Sequence, residues 1–403
     1  MDSKKRILII HPEGNIYNNP NLYSIIKLLN ANYSLEIFLP NLKVAYDSLE
    51  FKHIVKVYNK IFNRIFNRIL WNRFLFKFFY KFFEKKYFSR DLYDLIIGVD
   101  QLGLLLASEF AKRIKVPFGL ISYEIFFYDE CGYKEKKIEI NASQELDFAI
   151  TQDDIRARFL SEENKISSKK IFTIPVSSSD FFSYKKEYLI YDELDIPKDK
   201  NILIFIGSVD RWTCIDKVLA NVDNFPDSWV FVLHDRYGDT QKKVNKLYPH
   251  ILKYKNKKVY FSNIKIKDTG DMHKILHCAD LGLATYCPNF ANKYTGKNIE
   301  FIGLASGKIS TYLQNGLPII TTKNKILDES IKKNNLGFSI KSIEEIPVIL
   351  EHFKPSRHIN KACIDFFYKE LSFDNYSKDL LRLIEKLLNK TDEVNNILKE
   401  TNE

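Results

Sequence analysis

Gly303 to Thr322 (GLASGKISTYLQNGLPIITT) holds the residues best suited to grip an anion. Ser306, Gly307 and Lys308 fall where a small-residue loop becomes a short helix, Lys308 to Gln314. Free backbone N–H groups at such a start, together with the helix dipole, favour negative charge. Gly307 lets a ligand approach the backbone, and Lys308 adds a mobile cation. Gly316 suits the left-handed turn that ends the helix, and Leu317 to Thr322 reads as a buried strand. The chemistry this stretch offers is the holding of a phosphate-like group.

Further candidates stand where short apolar strands should end. Arg6 to Ile10 leads to His11, Glu13 and Asn15. Leu92 to Gly98 leads to Asp100, and Pro117 to Ser122 leads to Glu124. Asn201 to Gly207 leads to Ser208 and Arg211, and Trp229 to Leu233 leads to His234. Ligands in doubly wound sheets lie beyond the carboxyl ends of the strands. Glu13, Asp100 and Glu124 are therefore candidates to accept a proton from a hydroxyl. Arg211 and His234 are candidates to meet an anion. Each has a structural alternative: an ordinary surface loop for Glu13, helix capping for Asp100, a buried salt bridge for Glu124, an ion pair with Asp210 or Asp216 for Arg211, and a structural role for His234.

The elements that must position these residues alternate strand, loop and helix, the pattern of α/β domains with parallel sheets. At 403 residues, 45% hydrophobic and 28% charged, the chain suits two globular domains. We place an N-terminal domain over 1–176, a connector over 177–200, a second domain over 201–353 and C-terminal helices over 354–403. Ser342 and Glu345 have the spacing of a capping box.

Lys308, Ile309, Tyr312, Leu313, Gly316 and Pro318 form a "K-hydrophobic-x-x-Y-hydrophobic-x-x-G-x-P" pattern. It resembles the donor-site helix of GT-B glycosyltransferases, and more loosely that of family-4 enzymes. The LDFAITQDDIRARFL and HKILHCADLGLATY runs are similar to further segments of the same group. The resemblance implies two Rossmann-like domains with parallel sheets facing a cleft, and a C-terminal helix crossing back to the first. It implies that Gly207, Ser208, Arg211, His234, Ser306, Gly307, Lys308 and Thr311 line the site of a nucleoside diphosphate sugar. Gly303 and Thr311 stand where many family-4 members carry Glu, and Ser208 and Thr213 where they carry Arg and Lys. Val99-Asp100 and Ser122-Tyr123-Glu124 each lack the family's His.

The net charge of +10 is concentrated. Eleven Lys or Arg against one acid fall between Lys52 and Arg90, so this insert alone accounts for the excess. Its spacing predicts two amphipathic helices, or one bent near Leu70 to Asn72, with basic and aromatic faces suited to an anionic membrane surface. Arg64, Arg68, Arg73 and Lys77 lead that surface. No nucleic-acid signature accompanies the charge. The five cysteines form no CxxC pair, so neither a zinc knuckle nor a disulfide framework is expected. A reducing cytoplasm is the simplest home, with the protein held peripherally at the inner membrane face. No uncharged apolar run has the length of a membrane span.

These readings converge on a glycosyltransferase that moves a sugar from a nucleoside diphosphate donor, UDP favoured, to a saccharide or lipid-linked acceptor. Positive groups would stabilise the leaving diphosphate, and no Asp-x-Asp triplet points to a metal. No further cofactor is expected, and a retaining course is slightly favoured. The alternatives are a catalytically silent partner of an active transferase and a nucleotide-sugar epimerase.

Overall fold

The short apolar runs become two parallel sheets. A computed structural model of the chain describes residues 4–12, 14, 16, 19–39, 51–57, 81, 93–180, 184–235, 238–265 and 269–400. It divides into two compact units, Met1–Pro175 with Phe373–Glu403, and Val176–Ser372.

The first unit contains strands β1 (Arg6–Ile10), β2 (Ser34–Leu39), β3 (Val55–Val57), β4 (Leu95–Val99), β5 (Phe118–Ile121), β6 (Phe148–Thr151) and β7 (Ile171–Thr173). They lie in the order β3-β2-β1-β4-β5-β6-β7, every pair parallel. The second unit contains β8 (Asn201–Ile206), β9 (Trp229–His234), β10 (Val259–Ser262), β11 (Leu281–Ala284), β12 (Ile319–Thr322) and β13 (Gly337–Ile340). Their order is β10-β9-β8-β11-β12-β13, again all parallel. In each sheet the chain starts at the centre, winds to one edge, then resumes on the other side. The order therefore reverses between β1 and β4, and between β8 and β11, which makes two switch points.

Burial explains the strand sequences. Parallel strands covered on both faces read as continuous Val, Ile and Leu runs, and Leu95–Val99 is buried throughout. One face of the first sheet packs against the Asp100–Ile114 helix through Leu104, Ala107 and Phe110. The other packs against the Pro20–Asn32 helix and the chain's last helix, Asp374–Glu400, through Leu22, Ile25, Leu380 and Ile384. A Cβ on Gly98 would come within 2.4 Å of the Gly103 carbonyl carbon, so glycine sets how closely the Asp100–Ile114 helix lies on β4.

Three readings from sequence are changed. The segment from Lys52 does not begin as a helix: a 3-10 turn, Lys52–Ile54, leads into β3. Val55 and Val57 flank Lys56 with a strand's period of two, and Lys56 Nζ reaches Glu36 on β2 at 2.7 Å. Basic residues every four positions had masked that local pattern. Residues 177–200 lie within the second unit and contain a short helix, Leu189–Glu193. The Arg357–Phe366 helix also belongs to the second unit. The capping box forms as read, from Ser342 and Glu345.

Candidate functional site

The site in the second unit is built on its switch point. β8 and β11 pair through Leu203–Leu281 and Ile204–Gly282, then part. Tyr312, from the Gly307–Gln314 helix, fills the opening. Its hydroxyl accepts the Ile206 N–H at 3.0 Å and faces the Ile204 and Leu283 carbonyls at 3.4 and 3.3 Å. A Cβ on Gly282 would lie 2.6 Å from the Tyr312 ring, so only glycine there admits the ring. The far end of the helix is also fixed. Gln314 Nε2 donates to Ser178 Oγ at 2.7 Å and to the Asp180 carbonyl at 2.6 Å. Gly316 takes the left-handed conformation expected of it, φ +68°. This anchoring sets the helix start beside the carboxyl ends of β8 and β11.

Ser306 caps that start by accepting the Ile309 N–H at 3.2 Å, and its hydroxyl is bonded to the Tyr286 phenol. Lys308 follows. Its stem is partly exposed, but its ammonium nitrogen is buried and has no hydrogen-bond partner among the described residues. Three rings surround it: Phe205 at 4.3 Å, Tyr286 at 5.0 Å and Trp212 at 5.5 Å from nitrogen to centroid. Burial pushes the Lys308 pKa down to about 7, while the ring faces favour the charged form and pull the other way. Gly207, with φ +115°, carries the chain away from β8 just under this side chain; a Cβ there would meet Lys308 Cδ at 3.5 Å. A desolvated cation without a hydrogen bond is costly. An anion at the helix start would offset that cost, so the arrangement can bind and neutralise a phosphate group.

The other sequence candidates fall in different environments. Ser208 is partly exposed at the end of β8, and Thr311 is partly exposed one turn along the helix from Lys308. Arg211 is exposed in the turn Arg211–Thr213, which Asp210 and Thr213 cap reciprocally. Among the described residues its guanidinium forms no ion pair, so the pairings with Asp210 and Asp216 are not made. His234 is buried and its Nδ1 lies 3.0 Å from Ser262 Oγ, on the neighbouring strand.

The expectation about cysteines is overturned. Cys214 and Cys287, 73 residues apart in sequence, form a disulfide with a Cα–Cα distance of 5.7 Å. Local spacing cannot reveal such a pair, because tertiary structure makes it. The turn after β8 meets the end of β11, where the Cys287 N–H donates to the Trp212 carbonyl at 2.7 Å. Cys131, Cys278 and Cys363 are free thiols. Sequence reading also missed Phe205, Trp212 and Tyr286. Their one legible signal was position: Phe205 lies near the end of β8, and the other two just beyond β8 and β11.

In the first unit Asp100 holds φ +53° at the head of its helix, an uncommon conformation for a side chain other than glycine. Its Oδ1 accepts the N–H groups of Tyr123 at 2.7 Å and Glu124 at 3.0 Å. It thereby ties the end of β4 to the turn after β5. Beneath lies a buried arginine that sequence reading passed over: Arg156 donates to Gln152 Oε1 at 2.8 Å and to the Tyr123 carbonyl. Burial lowers its pKa, while the charges of Glu124, Asp153 and Asp100 oppose that shift. Tyr123, at the place of the family's His, bonds Asn21 Oδ1 at 2.7 Å, and burial raises its phenol well above the ordinary value. Glu13, Asn15, Arg64, Arg68, Arg73 and Lys77 lie outside the described residues.

Two all-parallel sheets with these switch points are the GT-B fold of glycosyltransferases. HepE of Anabaena, solved with UDP and glucose, aligns with TM-score 0.70 at 14% identity, over 95% of this chain and 100% of that one. Sucrose-phosphate synthase of Thermosynechococcus elongatus aligns with TM-score 0.64 at 11% identity, over 96% and 100%. WaaG, a glycosyltransferase involved in lipopolysaccharide biosynthesis, aligns with TM-score 0.61 at 11% identity, over 92% and 98%. More particularly, residues 235–381 match the glucosyltransferase 3-like, C-terminal domain family. That span contains Tyr286, Ser306 and Lys308. No curated protein matches the chain significantly in sequence.

Proposed function

We propose that this protein transfers a hexose from a UDP-sugar to a saccharide or lipid-linked acceptor, without a metal ion. The observation that carries the reading is the buried Lys308 ammonium at a helix start on the switch point, within the matched domain. HepE has been solved with UDP-glucose, which supports uridine as the base. The diphosphate lies against the Ser306–Lys308 turn, with Lys308 neutralising the leaving group as negative charge develops on it. Arg211, which forms no ion pair among the described residues and lies on the loop after β8, supplies a second charge. Ser208, Gly207, His234 and Thr311 complete the proposed donor site. Glu13, Asp100 and Glu124 are the carboxylates proposed for the acceptor side. Asp100 Oδ1 already accepts two amides. A retaining course needs no protein base and is favoured.

A panel of uridine and guanosine diphosphate sugars tests this. One UDP-sugar should raise the melting temperature and be turned over with a saccharide acceptor. No shift with any donor would favour a silent partner of an active transferase, a reading motivated by Gly303 and Thr311 standing in place of two carboxylates.

The basic insert supports attachment to the inner face of the cell membrane, each basic side chain near an anionic surface contributing about 1 kcal/mol. Among the described residues no helix is long and apolar enough to cross a membrane. Replacing Arg64, Arg68, Arg73 and Lys77 by Glu should release the protein from vesicles containing phosphatidylserine. Equal co-sedimentation of variant and parent would remove the proposed surface.

A further inference from the structure

Two stretches carry walls of the Lys308 cage. The turn after β8 brings Trp212, and the end of β11 brings Tyr286. Their rings are nearly parallel, 10° apart in plane and 6.3 Å between centroids. Each wall has a cysteine beside it: Cys214 follows Trp212 by two residues, and Cys287 follows Tyr286 directly. These are the two cysteines joined by the disulfide. Two hydrogen bonds run alongside it, from the Cys287 N–H to the Trp212 carbonyl and from the Thr285 hydroxyl to the Thr213 carbonyl, both 2.7 Å.

The surroundings favour opening of this bond. Cys214 is held at φ +56°, in the left-handed region that a residue with a Cβ rarely adopts, so the turn has a reason to relax once released. Cys214 is buried and Cys287 is partly exposed, so Cys287 is the more accessible half of the bond. The rate of thiol–disulfide exchange depends on access and on which sulfur is attacked. The other three cysteines are thiols, so a reductant has a single bond to act on among the described residues.

We infer that Cys214–Cys287 is a thiol–disulfide modification site that clasps the anion-binding cage, closed when oxidised and loosened when reduced. The inference rests on the donor-site reading of that cage. The reductant is a small or protein dithiol. One of its thiolates attacks the Cys287 sulfur, the protein S–S bond breaks, and Cys214 departs as a thiolate that takes up a proton. The second thiolate of the reductant then displaces Cys287 from the mixed disulfide. The protein gains two electrons and two protons, and the reductant leaves as a disulfide. Tyr286 stays fixed by Ser306 and Thr322, while the turn that carries Trp212 keeps only the two hydrogen bonds and the ring contact, so the Trp212 wall of the cage loosens.

The test uses the full chain, oxidised and after treatment with dithiothreitol. UDP affinity is measured by calorimetry, and amide exchange over residues 284–289 by mass spectrometry. Reduction should weaken UDP binding at least fivefold and speed exchange of the Cys287 amide at least tenfold, and reoxidation should restore both. Cys287→Ser should behave as the reduced protein with or without dithiothreitol; if that variant does not fold, reduction of the parent decides alone. Equal UDP affinity in the two redox states overturns the clasp and leaves the donor reading standing. Unchanged amide exchange overturns the mechanical link. UDP binding by neither form overturns the donor reading itself, and redox control of it as well.

Discussion

Lys308 is a residue kept against its own stability. Its ammonium is buried, has no hydrogen bond among the described residues and sits among three rings. With its pKa lowered to about 7 from 10.5, the unfolded chain binds the proton more tightly than the folded one. The contribution of Lys308 to stability is therefore lowest below pH 7 and rises as pH climbs from about 7 towards 10.5. Lys308→Met should abolish that rise, leave the melting temperature at neutral pH no lower, and cut turnover at least tenfold, about 1.4 kcal/mol in barrier. In the parent, UDP binding should take up a proton near neutral pH and weaken as pH rises above 7. In Lys308→Met that pH dependence should vanish, and calorimetry in buffers of different ionisation enthalpy reads both effects. The place of Lys308 at a helix start was legible, because the small residues before the Gly307–Gln314 helix mark that start locally. Its rings were not, since Phe205, Trp212 and Tyr286 come from separate elements. The Cys214–Cys287 pair escaped for the same reason.

Among the elements, the Gly307–Gln314 helix matters most, and one phenol fixes it where β8 and β11 separate. Tyr312→Phe would leave the Ile206 N–H buried without its acceptor, a loss of about 1–3 kcal/mol. Gly282→Ala would push into the Tyr312 ring and should lower both melting temperature and UDP affinity. Denaturant unfolding and calorimetry check the pair; an unshifted Gly282→Ala variant would show that the helix is not held in this way. Most strands were legible because burial on both faces writes them as apolar runs. β3 was not, because its three residues lie inside a longer basic period.

For the whole molecule, the disulfide closes a loop of 73 residues within the second unit. In the chain-entropy account such a cross-link stabilises by about 4 kcal/mol. Dithiothreitol should therefore lower the melting temperature of that unit by several degrees, seen by calorimetry. The two-domain α/β plan was legible from length and rhythm. The division between units was less so, because 177–200 reads as a connector and 354–372 as part of the returning C-terminal helices, yet both belong to the second unit.

The last helix has a practical consequence. Phe373, Leu380, Ile384 and Leu388 are buried in the core built by β1 and the Pro20–Asn32 helix, each contributing about 1.5–3 kcal/mol by burial. The polypeptide thus begins its first unit, completes the second, and only then supplies the missing piece of the first. During synthesis the first unit must wait, with an apolar groove uncovered, until residues 373–388 have emerged from the ribosome. Anyone dissecting the protein should expect 176–372 to be expressible alone, and 1–175 to require residues 373–403 spliced directly onto it.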